Sequence, residues 1–438
     1  MKQHFDTLII GAGAAGLAAT AKLSQEGQDV CLLEARDRIG GRIHTRHEPG
    51  IAIPLDLGAE FVHGAAPSTL RWLRRSNTAL IDAAQSHWML RDGKLQGTDD
   101  LFGEMKAGLK RARRPRKDLP FSEFLEGAAH SKLSPRARQF ARTLVEGFDA
   151  ADVTRVSTLE TLDEWSGSGA ADAPTFRPLG GYSSLLRALT GAFAPGDVHM
   201  KLSAVVNEVK WRRGHVEIAA TRNGETSLFS APRAIVTLPL GVLQLPAQSP
   251  HAVRFDPALT QKRTAFEGLA VGPVVRIILR FRDAFWEQLD DGRFRDGAFF
   301  HVPDQAFPTF WTALPIRAPL LVAWAAGPNA SRMSGLDHAE VLQRALQSLE
   351  ALFGKRANVR DQLEGSHFHD WQADPFSSGA YSYVTAGGAS ARKILAKPLL
   401  DTLFFAGEAA DTEGESGTVA GALESGERAA REVMKSAK

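Results

Sequence analysis

The chain has 438 residues, 44% of them apolar, which suggests two or three domains with sizeable cores. Its 52 basic and 50 acidic residues leave a net charge of +2, so no global field favours nucleic acid. A single cysteine excludes a disulfide framework and fits a reducing compartment.

The opening MKQHFDTLIIG enters a strand at once, with no room for a signal peptide. No apolar run reaches the length of about 18 residues needed to span a bilayer. The longest, APRAIVTLPLGVLQLPA, is broken by three prolines. The expectation is a soluble cytoplasmic protein.

TLII, Thr7 to Ile10, reads as a buried parallel strand, followed by GAGAAG and a helix over LAATAKLSQEG. Gly11, Gly13 and Gly16 fit a dinucleotide fingerprint: a tight turn, a close backbone approach to pyrophosphate, and close packing of helix on strand. The helix N-terminus offers free N–H groups and a positive dipole. QDVCLLE reads as the next strand, with Cys31 a core residue and Glu34 at the distance expected of a carboxylate on the ribose. In ARDRIGGRIHT, Gly40 and Gly41 with Arg36 and Arg42 either bring more N–H groups and charge to one pyrophosphate or form an ordinary turn.

Farther on, FSEFLEGA and SPRARQFARTLVEGF have helical apolar spacing. The basic run Lys106 to Asp118 lacks interleaved aromatics and reads as a solvated surface. VVRIILRF and PLLVAWAAG read as strands, and LDHAEVLQRALQSLEALFG as an amphipathic helix. Arg276 interrupts the first strand; Val274, Arg276, Ile278 and Arg280 share a face, which taken alone reads as half solvated. HFHD, His367 to Asp370, offers metal-ligand types but reads as the start of a strand, so no metal site is expected. After Thr402 come an apolar strand, a glycine-rich loop and a helix.

Taken together, these segments resemble the flavin-dependent amine oxidase superfamily. LLEARDRIGGR is similar to the family's phosphate and ribose segment nearly letter for letter, which implies FAD. The family's cysteine tether has no counterpart, Cys31 lying in the dinucleotide strand, so the FAD is expected to be noncovalent. DLGAEFVHG is similar to the segment under the flavin ring, which implies cofactor contacts for Gly58, Ala59 and Glu60. Glu60 and His63 become candidates for holding a distal substrate ammonium, a structural hydrogen bond remaining equally open for His63. PLGGYSSLLRAL looks like the return into the FAD domain, and Val206 matches the residue whose backbone meets the adenine. Glu408 matches the carboxylate on the ribityl side, and Gly417, Thr418 and Val419 begin a helix aimed at the isoalloxazine. That helix end can stabilise anionic reduced flavin.

DWQADPFSSGAYSYVTAGG resembles polyamine oxidases and lysine-specific histone demethylases more than monoamine oxidases. On that match Tyr381 is one wall of an aromatic cage, Thr418 holds the opposite position, and Trp371 and Phe376 line the flavin or cavity. Gly272 and Phe285–Trp286 register Arg276 onto the family's lysine, which assists the reaction of reduced flavin with dioxygen. Arginine keeps the charge but is forked, so it also suits a substrate carboxylate. Ala409 and Ala410 replace a polar pair of the family, and the demethylases' extra helical and coiled-coil regions are missing, so chromatin binding is not expected.

The resemblance implies an α/β fold. A Rossmann-like FAD domain of glutathione-reductase type would use 1–80, 176–255 and 391–438. An inserted α+β substrate domain of mixed sheet and helices would use 81–175 and 256–390. The implied reaction passes hydride from a polyamine or related amine to flavin N5. The imine hydrolyses to an aldehyde or ketone, and dioxygen yields hydrogen peroxide. The partners expected are this small amine and dioxygen, with no nucleic acid and no membrane. An amino-acid substrate, an acceptor other than dioxygen, and a non-catalytic flavin protein remain open alternatives.

Overall fold

The computed structural model describes residues 3–166 and 174–437. At its centre is a parallel sheet of five strands, in the order Val198–Lys201, Val30–Leu33, Thr7–Ile10, Arg233–Val236 and Leu403–Phe405. Thr7–Ile10 and Val30–Leu33 are buried at every position, as a sheet covered on both faces requires. On one face lie the helices Ala14–Gln25 and Val419–Ser436, packed so closely that a Cβ on Gly426 would sit 2.2 Å from the Ala15 carbonyl oxygen. On the other face lies an antiparallel layer, Val205–Arg212, His215–Arg222 and Glu225–Ala231, which shares a core of Val209, Val216 and Ile218 with Leu8 and Leu33.

A second sheet of seven strands draws on other stretches of the chain. Its order is Leu363–Asp370, Val274–Phe281, Leu320–Ala326, Thr309–Thr312, Phe299–His301, His87–Arg91 and Lys94–Gly97. Val275, Ile277 and Leu279 on one face pack against the helix His338–Phe353. That helix starts with a capping box between Asp337 and Glu340. The opposite face carries Val274, Arg276 and Ile278, and all three are buried. This corrects the half-solvated face expected of the strand: Leu55, Leu57 and Trp311 cover it. HFHD is also corrected, because it ends the strand Leu363–Asp370 rather than starting one. Its residues pair with Val275 to Ile278 across the sheet.

The helices Asp99–Arg111, Phe121–Glu126, Pro135–Gly147 and Thr158–Ser166 form the remaining wall around Phe121, Phe124 and Phe140. No helix among the described residues is long and apolar enough to cross a membrane. No cluster of three or more metal-ligating side chains occurs among them either.

Candidate active site

One continuous cavity of about 920 Å³ runs from the first glycine loop, past the seven-stranded sheet, to the helical wall. Gly11, Gly13, Glu34, Arg36, Gly41, Arg42, Gly58, Ala59, Glu60, His63, Val206, Arg276, Trp371, Phe376, Tyr381, Glu408, Gly417, Thr418 and Val419 all line it. Gly16 stands behind it, where a Cβ would fall 1.9 Å from the Gly11 carbonyl oxygen. Gly13 faces open space and caps the first helix with no side chain, so the first-turn N–H groups stay available to a phosphate. Glu34 is fixed by N–H donors from Ala12, at 2.7 Å, and Arg36, at 2.9 Å. These features fit a dinucleotide lying along the parallel sheet.

Arg36 donates to Asp374 at 2.5 Å and to Ser377 Oγ at 2.9 Å, with its guanidinium over Phe376. Asp374 is thereby held well below the ordinary carboxylate range: Arg36 and His369 outweigh the burial that opposes them. Arg42 donates to Glu408 at 2.9 Å and to the Ala380 carbonyl. Glu408 also accepts from the Ser382 hydroxyl at 2.7 Å. Burial pushes the Glu408 carboxyl up, but Arg42 and Arg392 bring it below its ordinary value. Thr418 caps the last helix by accepting from the Gly421 N–H at 3.1 Å. Trp371 is pinned by donation to the Leu57 carbonyl at 2.9 Å. Cys31 is fully buried in the sheet and lines no part of the cavity.

Arg276 does not hang free in this space. Its terminal nitrogens donate to the Gly58 carbonyl, at 3.1 Å, and to Glu60, and the guanidinium stacks over Trp311. Its Nε–H has no partner among the described residues. Glu60 also accepts from Arg177 Nε at 2.8 Å and from Trp311 Nε1 at 3.1 Å. Arg177 is locked in turn by the carbonyls of Leu314 and Thr312. Two cations and one anion thus share a buried cluster. Burial raises the Glu60 carboxyl, but the two arginines hold it ionised below its ordinary value. The lone pairs that would take a substrate ammonium are already engaged. Burial also pushes His63 down to about 4, so its imidazole is neutral at pH 7, with Thr175 Oγ1 3.4 Å away.

A second charged group came from residues that sequence reasoning passed over. Asp149 and Glu164 line the cavity with no hydrogen bond or ion pair to any described residue. Burial and mutual repulsion raise the Asp149 carboxyl; enclosure raises that of Glu164, which Arg392 only partly offsets. Glu164 is exposed to solvent, and Asp149 is half-buried. Tyr381, whose hydroxyl donates to the Phe148 carbonyl at 2.5 Å, is influenced by both acids. No short motif contains them, since Asp149 follows one helix and Glu164 lies within another. The basic run is largely exposed, as expected, and Lys106, Lys110 and Arg114 also line the cavity.

The model of a flavin containing amine oxidoreductase matches residues 14–434. The chain belongs to that family. Its cofactor is FAD. It is 29% identical to lysine-specific histone demethylase 2 of Homo sapiens over 458 residues, which covers 97% of this chain and 53% of that protein. It is 29% identical to polyamine oxidase 3 of Oryza sativa subsp. japonica over 466 residues, covering 97% and 88%. The chain spans about half the length of the human demethylase and 30% of a demethylase homologue from Arabidopsis thaliana. Wild-type putrescine oxidase bound to putrescine superposes with a TM-score of 0.79 at 19% identity, over 99% of this chain and 100% of that one. Cyclohexylamine oxidase from Brevibacterium oxydans IH-35A gives 0.78 at 20%, over 98% and 99%. These likenesses establish the fold: an FAD-binding Rossmann-like part joined to a substrate-binding part.

Proposed function

We propose that this amine oxidoreductase oxidises small amines carrying a second positive charge, of the diamine or polyamine class, with dioxygen as acceptor. The observation that carries the reading is the pair Asp149 and Glu164, two carboxylates lining the cavity with no cation in contact among the described residues. Two such groups cannot both ionise cheaply, and a bound ammonium between them removes that cost. Tyr381 beside them supplies an aromatic face for the cation and for orienting the reacting amine.

FAD, when bound, supplies the hydride acceptor for the substrate's α-carbon. For its binding we assign the Gly11 and Gly13 turn with Arg36 to the pyrophosphate, Glu34 to the ribose and Val206 to the adenine. Arg42, Glu408 and the Gly417–Val419 helix start are assigned to the ring side. Gly58, Ala59, Trp371 and Phe376 shape the remaining wall. The proposed division into 1–80, 176–255 and 391–438 against 81–175 and 256–390 is supported by the separate strand sets of the two large sheets. The buried Arg276 keeps a positive charge in this wall, and Glu60 holds it in place. Its engaged terminal nitrogens weaken the alternative of an amino-acid substrate, whose carboxylate would need that fork.

The test is anaerobic bleaching of the bound flavin with polyamines, diamines, monoamines and amino acids, followed by air. Bleaching by polyamines or diamines, and return of colour with peroxide in air, is the expected result. Bleaching by amino acids alone would overturn the substrate class. Bleaching without reoxidation in air would overturn dioxygen as acceptor.

A further inference from the structure

The cavity also holds a histidine pair that the proposed chemistry does not use. The strands His87–Arg91 and Phe299–His301 run parallel, with Phe299 opposite His87. Alternation places Phe299 and His301 on the same face. The His87 ring therefore stacks on Phe299, at 4.5 Å and 7°, and on His301, at 5.3 Å and 4°. His87 Nδ1 and His301 Nε2 share a hydrogen bond of 3.0 Å. His301 Nδ1 shares another, of 3.2 Å, with Thr309 Oγ1. Both nitrogens of His301 are used, whereas His87 Nε2 has no partner among the described residues, and His87 lines the cavity.

This hydrogen-bonded chain can run in either direction. His87 Nε2 thus offers a donor in one tautomer and an acceptor in the other. Burial pushes His87 down to about 4, with Asp99 opposing weakly, and His301 to about 3, so both are neutral at pH 7. Phe102 meets the His87 ring edge-on at 5.5 Å. A neutral station lined by aromatic rings offers an ammonium little to offset its desolvation. An uncharged group that donates or accepts one hydrogen bond loses far less water and is repaid by His87.

We propose that His87, oriented by His301 and Thr309, is a specificity-determining residue that binds an uncharged, hydrogen-bonding group, such as a hydroxyl or amide, carried by the amine substrate beyond its charged part. A route of ring contacts joins it to the acidic station: Phe148 to His63 at 5.5 Å, His63 to Phe61 at 5.7 Å, and Phe61 to Phe299 at 6.1 Å. The cavity would thus read charge beside Tyr381 and neutrality at His87. The inference rests on the amine reading above.

The experiment compares ω-amino alcohols, α,ω-diamines and n-alkylamines of matched chain length on the holoenzyme, by anaerobic flavin bleaching and by KM and kcat. His87→Phe keeps the ring stack and removes both nitrogens; His87→Gln restores a hydrogen-bonding group. In wild type we expect one chain length at which the amino alcohol has a lower KM than the alkylamine. His87→Phe should raise that KM about fivefold to tenfold with kcat unchanged, leave the alkylamine unaffected, and be partly rescued by His87→Gln. Equal changes for the alcohol and the alkylamine, or none, would overturn the proposal while bleaching by the diamines keeps the amine reading intact. No bleaching by any amine in wild type would overturn both.

Discussion

On one wall of the cavity Glu60 lies between Arg276 and Arg177, with every charge in contact with its opposite. On another, Asp149 and Glu164 stand together with no cation touching them among the described residues. Both places put carboxylates on the cavity wall, but protein cations hold the first below its ordinary titration range, and desolvation drives the second pair above theirs. The first charge cluster is completed within the chain; the second would be completed by the proposed ammonium. Sequence inspection reverses these assignments, because Glu60 sits in a recognisable motif and Asp149 and Glu164 do not.

The largest expected effect lies outside both clusters and checks the frame they share. Gly16→Val would drive side-chain carbon into the Gly11 carbonyl. We expect loss of FAD, seen as a collapsed flavin-to-protein absorbance ratio, and destabilisation of more than about 4 kcal/mol in urea. Glu60→Gln should come next. It leaves two buried cations short of a counter-charge and should cost about 3–5 kcal/mol. The Glu60 carboxyl is lowered on folding, so its contribution is complete above the ordinary value of 4.5 and is lost as pH falls below it. The acid limb of the wild-type stability profile should therefore flatten in Glu60→Gln.

Asp149→Asn tests the opposite design. Its folded carboxyl is raised, so the ionised form is disfavoured and stability falls as pH rises through the raised value. Removing it should leave the apoprotein as stable or more stable at pH 7, the reverse of Glu60→Gln. It should lower kcat/KM for diamines by about 1.5–3 kcal/mol, roughly tenfold to a hundredfold, with n-alkylamines little changed. A stability loss matching that of Glu60→Gln would break the comparison. Tyr381→Phe is the smallest change: it removes one hydrogen bond to Phe148 and keeps the ring, so about 1 kcal/mol in stability and a modest rise in KM are expected.

The sequence by itself determined what depends on neighbours along the chain. The glycine turn, the strands Thr7–Ile10 and Val30–Leu33 and the loop-to-helix step at Gly417 to Val419 are read from local patterns, because backbone conformation and side-chain periodicity are local constraints. The long segmental match to a family also brought Arg276, Tyr381, Trp371 and Glu408, distant in sequence, to one cavity. Only the tertiary structure decided which of these groups are already spoken for. Arg177 reaches Glu60 across 117 positions and Arg276 across 216, so no window of sequence shows that this carboxylate is neutralised. Asp149, Glu164 and His87 come from separate elements whose local patterns concern only packing. Their pairing and their protonation follow from what encloses them, and enclosure is a property of the assembled fold.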